Sequence, residues 1–245
     1  MNWVFGIHAV HTILKSSPQR VAELQVQKGR QDARLQKLVT MAEQHGVKIQ
    51  WATTKQLDSQ VDGRHQGVIA LCKEGKTHDE AFLMDLVEKQ AQSGFFLMLD
   101  GVTDPHNLGA CMRSADGAGV QAIIVPKDNS VGLTPVVTKV ACGAADTVPL
   151  VMVTNLARTL QKLQQRGVWV VGTAGDAENI LYDVDLSGPL VIVMGSEGNG
   201  IRQLTRSHCD FLAKLPMAGE VASLNVSVAT GICLFEAVRQ RKLIK

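Results

Sequence analysis

Paired cysteines are missing from this 245-residue chain. Its five cysteines, Cys72, Cys111, Cys142, Cys209 and Cys233, are an odd number and include no C-x-x-C pair. That argues against a disulfide framework and against a zinc ribbon, and it fits a reducing cytoplasm. Each thiol is expected as a small buried apolar group. No apolar stretch reaches the length of a membrane span, so no membrane partner is expected. The opening residues, MNWVFGIHAVHTIL, lack a basic leader and carry two histidines in their apolar part, so no signal peptide is expected either. Aromatic residues make up only 4% of the chain. Trp3, Trp51 and Trp169 form no stacking series, which predicts core positions for them.

Charge of one sign is also scarce, with a net value of +2. It is unevenly spread. Residues 1–75 hold ten Lys and Arg against six Asp and Glu, whereas residues 76–245 hold fifteen against seventeen. A basic N-terminal third suits a polyanion partner or an ordinary solvated surface.

Several catalytic signatures are absent. There is no G-x-G-x-x-G fingerprint for a dinucleotide. The stretch ALCKEGKT, Ala70–Thr77, approaches a phosphate-binding P-loop, but Ala70 stands where the first glycine belongs. His8 and His11 lie three apart without a neighbouring acid or thiol cluster, so no metal is expected.

What is present is an alternation of strand and helix patterns. In the first third, IHAVHTILK reads as helix, LQVQK as strand, DARLQKLVTMAEQHG as a helix with Leu35, Leu38, Val39 and Ala42 on one face, and VKIQW and GVIALC as strands. The charged KEGKTHDE follows and reads as a linker, then a helix with Phe82, Leu83, Leu86 and Val87 at helical spacing. After Gly94 come near-continuous apolar strands, FFLMLD, AIIVP, VWVVGTA and LVIVMG, with helical stretches between them. Such runs suit a parallel sheet covered on both faces. The expected fold class is therefore α/β, with a small N-terminal unit at 1–74, a linker at 75–93 and a parallel-sheet domain at 94–245.

Ligands of open parallel sheets bind beyond the carboxyl ends of the strands. Three polar or glycine-rich stretches fall there: DGVTDPHNLGACMRSA after FFLML, GSEGNG after LVIVM, and LPMAGEVASLNVSVA after CDFLAK. In this order they resemble the three signature motifs of the SpoU branch of the SPOUT methyltransferases. FGIHAV at Phe5–Val10 and HQGVIA at His65–Ala70 resemble the N-terminal substrate-binding domain that many members carry, a ribosomal-protein-like RNA-binding fold. The resemblance spans essentially the whole chain. It is closest to bacterial enzymes that methylate a guanosine ribose of 23S rRNA.

The resemblance implies methyl transfer from S-adenosylmethionine (AdoMet) to a ribose 2′-hydroxyl. It also implies a deep trefoil knot in the C-terminal domain, a homodimer, a cytoplasmic location and no metal. By resemblance, AdoMet lies against Thr173, Gly195, Leu215 and Leu224, and the catalytic set is Arg113, Asn107, Glu197, Ser223 and Asn225. Arginine is a poor base, so Arg113 is expected to hold an RNA phosphate and to stabilise negative charge on the attacking oxygen. A phosphate and Glu197 both stand as proton acceptors. Ser223–Asn225 also reads as an N-cap of the last helix. A tRNA ribose methyltransferase of the same fold and a non-enzymatic RNA-binding or ribosome-assembly protein are the alternatives.

Overall fold

The structure is a computed structural model that describes residues 1–30, 32–73, 75, 77–90 and 92–243. In chain order it begins β1 (Asn2–Phe5), α1 (Ile7–Ser16), β2 (Val21–Gln27), α2 (Ala33–Gln44), β3 (Lys48–Ala52), α3 (Thr54–Asp58) and β4 (Val68–Cys72). It continues with α4 (Glu80–Lys89), β5 (Phe95–Asp100), α5 (Pro105–Ala118), β6 (Ala122–Pro126), α6 (Pro135–Val140), α7 (Ala144–Thr147) and β7 (Leu150–Val153). It ends with α8 (Leu156–Gln164), β8 (Trp169–Thr173), β9 (Asn179–Ile180), β10 (Leu190–Gly195), α9 (Gln203–Arg206), β11 (Phe211–Lys214) and α10 (Val226–Leu243). The chain divides into two units, Met1–Lys76 with Leu133–Thr147, and Thr77–Gly132 with Val148–Lys245.

The first unit holds a four-stranded sheet in the order β1-β4-β2-β3. β4 runs antiparallel to β1 and β2, and β3 is a parallel edge strand beside β2. The apolar stripe of α2, Leu35, Leu38, Val39 and Ala42, is buried against Leu24 and Val26 of β2. Asp32 caps this helix, its Oδ1 accepting from the Arg34 N–H at 3.0 Å.

The second unit is built on a seven-stranded sheet in the order β7-β6-β5-β10-β8-β11-β9, in which every pairing is parallel. β5 and β10 lie at its centre, in register from Phe95 opposite Leu190 to Asp100 opposite Gly195. Helices cover both faces, so β5 is buried at every position. This register delivers the first two motif loops from adjacent strand ends.

The structure departs from the sequence expectations in several places. Within segment 75–93 the helix expected around Phe82–Val87 is present as α4, and its Leu83 and Val87 join the core of the second unit. Of that segment, Lys76 and Ala91 lie outside the described residues. In the P-loop look-alike, Ala70–Cys72 simply finish β4, while Glu74 and Lys76 lie outside the described residues. Two tryptophans expected in the core are half exposed: Trp51 at 52% and Trp169 at 53%. Trp51 sits on the sheet edge, and Trp169 is the first residue of its strand, so neither is enclosed on all sides. The short strands β1 and β7 escape a sequence reading because four residues carry too little pattern. No helix among the described residues is long and apolar enough to cross a membrane.

Candidate active site

At the carboxyl end of β5 the chain places a buried acid. The Asp100 side chain is 0% exposed, and its Oδ1 accepts from Arg202 Nε at 2.6 Å. Oδ2 accepts from the backbone N–H of Arg202 at 3.0 Å. This pair ties the end of β5 to the segment after the GSEGNG loop. Neither residue is among the site residues expected from the sequence. The signal was an ionisable residue closing an otherwise unbroken apolar run.

The loop after Asp100 leads into α5, which starts with a strong local code. Pro105 occupies the first turn, where no N–H is needed, and Asp104 Oδ1 accepts from the His106 N–H at 2.9 Å. Asp104 and Pro105 thus set the start of the helix that carries Asn107 and Arg113. Leu108, Cys111, Met112 and Ala115 bury one side of α5. Arg113 stays on the exposed side.

Three motif loops meet at Glu197. Its Oε1 accepts from Asn107 Nδ2 at 3.2 Å, from Asn225 Nδ2 at 2.6 Å and from the Val226 backbone N–H at 3.4 Å. Asn225 Nδ2 also lies 3.0 Å from Asn107 Oδ1. The carboxylate sits at the N-terminus of α10, where backbone N–H groups favour negative charge. Asn225 is the residue before that helix, and its Oδ1 accepts from the backbone N–H of Ser227 at 2.9 Å and from its hydroxyl at 2.6 Å. One side chain therefore caps α10 and joins the loop cluster. Asn107, Glu197 and Asn225, expected as site residues, are together. Because three donors fill Glu197 Oε1, that oxygen is not open to receive a substrate proton.

Gly195 has a different reason for being glycine. A Cβ there would fall 2.0 Å from Gly200 C and 2.2 Å from Ile201 N. The loop closes on itself, with Ser196 and Gly200 exchanging backbone hydrogen bonds of 3.1 and 2.9 Å. Close backbone approach within the loop fixes this residue, and it does not line the neighbouring cleft.

That cleft opens to solvent beyond the ends of β8, β10 and β11 and has a cavity volume of about 160 Å³. Leu215, Met217, Leu224 and Met194 supply apolar wall, and Thr173 and Ser223 supply hydroxyls. Of the residues expected to hold a cofactor, Thr173, Leu215 and Leu224 share this cleft. Thr173 Oγ1 is fixed by donation to the Val193 carbonyl at 3.2 Å. Met194, Met217, Ala229 and Cys233 also line it, and sequence reasoning did not single them out. Burial pushes the Cys233 thiol up to about 12, so it is a poor nucleophile at neutral pH. Apolar walls with a few fixed polar groups suit a flat heteroaromatic cofactor. Among the described residues no group of three or more His, Cys, Asp or Glu is placed to hold a metal ion. His8 is exposed and His11 half-buried on α1.

Residues 94–235 match the SpoU rRNA Methylase family, and residues 3–78 match the family described as RNA 2′-O ribose methyltransferase substrate binding. The chain is 58% identical over 240 residues to the 23S rRNA (guanosine-2′-O-)-methyltransferase RlmB of Pseudomonas putida, covering 98% of this chain and 97% of that one. It is 60% identical over 240 residues to RlmB of Shewanella oneidensis, with the same coverage. Among solved structures, the SpoU methyltransferase AviRb from Streptomyces viridochromogenes, in complex with the cofactor AdoMet, superposes with a TM-score of 0.79 at 22% identity, over 98% of this chain and 90% of that one. The last likeness bears on fold alone.

Proposed function

The chain belongs to the SpoU rRNA methylase family, and from that premise we propose that it transfers a methyl group from AdoMet to the ribose 2′-hydroxyl of a guanosine in 23S rRNA. The observation that carries the chemistry is the meeting of three loops at Glu197 beside a cleft that suits the cofactor. Residues 1–74 bind the RNA and residues 94–245 carry out transfer, a division supported by the two matched ranges. The enzyme works in the cytoplasm.

AdoMet, when bound, supplies a methyl group on a sulfonium, which is already a good electrophile. Leu215, Leu224 and Met194 would hold its apolar surface, and the Thr173 and Ser223 hydroxyls in the same cleft would be available to its polar groups. The protein's remaining task is to orient the RNA hydroxyl, exclude water and stabilise the charge that develops on oxygen. Arg113 meets that need. An arginine side chain is a fixed cation with a planar fork of donors, and here it grips a phosphate of the target nucleotide and stabilises the attacking oxygen. Asn107, Glu197 and Asn225 are positioning residues that hold the Arg113 helix against the other two loops.

The same reading includes a deep trefoil knot and a homodimer. The knotted path is supported by β10, which inserts between β5 and β8 although β6–β9 intervene in the chain. The dimer is supported by Val228 and Phe235, each 51% exposed and seven residues apart on one face of α10. Light scattering at micromolar concentration checks it, with a monomer mass as the contrary result.

The decisive experiment maps ribose methylation across total RNA from cells with and without this protein. Loss of a 2′-O-methyl group at one 23S rRNA guanosine is expected. A change confined to tRNA, or no change, overturns the assignment.

A further inference from the structure

Trp51 is the feature of the N-terminal unit that the fold leaves unexplained. A half-exposed indole on an edge strand leaves apolar surface in water. Among the described residues no aromatic ring packs on it. Strand register places Trp51 opposite Val26, a residue buried under α2, so the indole lies on the helix-covered side of the sheet, at its open margin. Beside it is an open cavity of about 380 Å³. Val26 and Val39 form apolar floor, and Arg30, Asp32 and Gln36 form polar wall.

The wall is organised. Arg30 passes over Gly67, where a Cβ would fall 3.1 Å from Arg30 Cδ, and where φ of +85° independently favours glycine. Its Nη2 lies 3.6 Å from Asp32 Oδ2. Asp32 is engaged further by Arg34 at 3.1 Å, which holds its carboxyl below the usual carboxylate range, so its charge is answered by two cations. Gln36 is left to present its amide. Beyond Asp32 the wall is followed by a second cation, the side chain of Arg34, which is 71% exposed.

An aromatic face, an apolar slot, an amide at its edge and cations around it are the elements that bind single-stranded nucleic acid. We propose that the cavity beside Trp51 is a subsite for an unpaired nucleobase of the RNA substrate. The base stacks on the indole, Gln36 hydrogen-bonds its edge, and Arg30 contacts the adjoining phosphate. This rests on the function proposed above, and it adds a recognition element made by the N-terminal unit alone.

The test uses the full chain without cofactor and a protein-free 23S rRNA transcript. RNA affinity is measured at several salt concentrations for the wild type, Trp51→Ala, Trp51→Phe and Arg30→Ala, with circular dichroism as the check on folding. Trp51→Ala should weaken binding about tenfold without changing the salt slope, and Trp51→Phe should restore most of it. Arg30→Ala should lower the slope by about one counterion. A transcript carrying 4-thiouridine should crosslink to Trp51 or to residues 30–36, a readout that stands even if Trp51→Ala fails to fold. Wild-type affinity in a folded Trp51→Ala protein, or crosslinks confined to other segments, overturns the proposal. A wild type that binds this RNA through Trp51 yet methylates none of it would remove the function and leave the subsite standing.

Discussion

Asn225 Nδ2 lies 2.6 Å from Glu197 Oε1, and it also reaches Asn107 Oδ1 at 3.0 Å. One amide group thus bridges the loops that follow β11, β10 and β5. Since Asn225 caps α10 through its other atom, the start of that helix and the loop cluster cannot move independently.

This coupling is measurable. Glu197→Ala and Asn225→Ala should each lower turnover by at least tenfold. The double variant should lose little more than either alone, because both remove the same clamp. Glu197→Gln, which keeps an accepting oxygen, should retain more activity than Glu197→Ala. Single-turnover rates on the four proteins check this, and simple additivity of the two losses would count against a shared clamp.

Arg202→Ala leaves Asp100 as a buried carboxylate without its cation. Breaking a buried pair from one side costs about 3 kcal/mol, although Arg202 is half exposed and part of that is recovered by solvent. Asp100→Asn keeps a hydrogen-bonding group in the same space and should destabilise less. Urea unfolding of the two variants measures the difference. Equal stability would mean that the backbone N–H of Arg202 alone satisfies Asp100.

The three loops stand out in the sequence because they combine residue types that packing does not require, while the resemblance, and not spacing, singles out Asn107, Glu197 and Asn225 within them. The stretches follow apolar strands, and the strand order of the folded sheet brings them to one rim. The Asp100–Arg202 pair was hidden because 102 residues separate its members: Asp100 closes an apolar run, but nothing local to Arg202 marks it as the partner. At Gly195 the close approach of Gly200 by itself demands glycine, a constraint that only the folded loop displays. Trp51 and Trp169 were misplaced because residue type does not tell an edge position from a central one. In the first unit, the stripe on α2 was legible because it repeats over about two turns.

Thiol chemistry follows the burial pattern. Burial pushes the thiols of Cys72 and Cys111 up to about 11 and those of Cys209 and Cys233 up to about 12. At pH 8 these four are almost wholly protonated, and their thiolate fraction rises about tenfold per pH unit until the pKa is reached. Cys142 is exposed. Brief iodoacetamide treatment of the native protein at pH 8, read by mass spectrometry, should label Cys142 and spare the others. Early labelling of Cys233 would mean that the cleft opens more deeply than its lining suggests.

Arg113 separates catalysis from architecture. It lies on the exposed side of α5, while the packed side is carried by Leu108, Cys111, Met112 and Ala115. Arg113→Ala should therefore leave the melting temperature and AdoMet affinity close to wild type. Methyl transfer should fall about a hundredfold to a thousandfold, the loss typical of one electrostatic donor to a developing oxyanion. Lys should rescue poorly, since it keeps the charge but not the planar fork that grips a phosphate. The loss should appear in single-turnover rate at saturating RNA, because the interaction strengthens as the hydroxyl becomes an alkoxide. If Arg113 only held the loop, stability and cofactor affinity would fall together and excess AdoMet would restore much of the turnover. A stable Arg113→Ala protein with near-normal transfer would remove Arg113 from the chemistry.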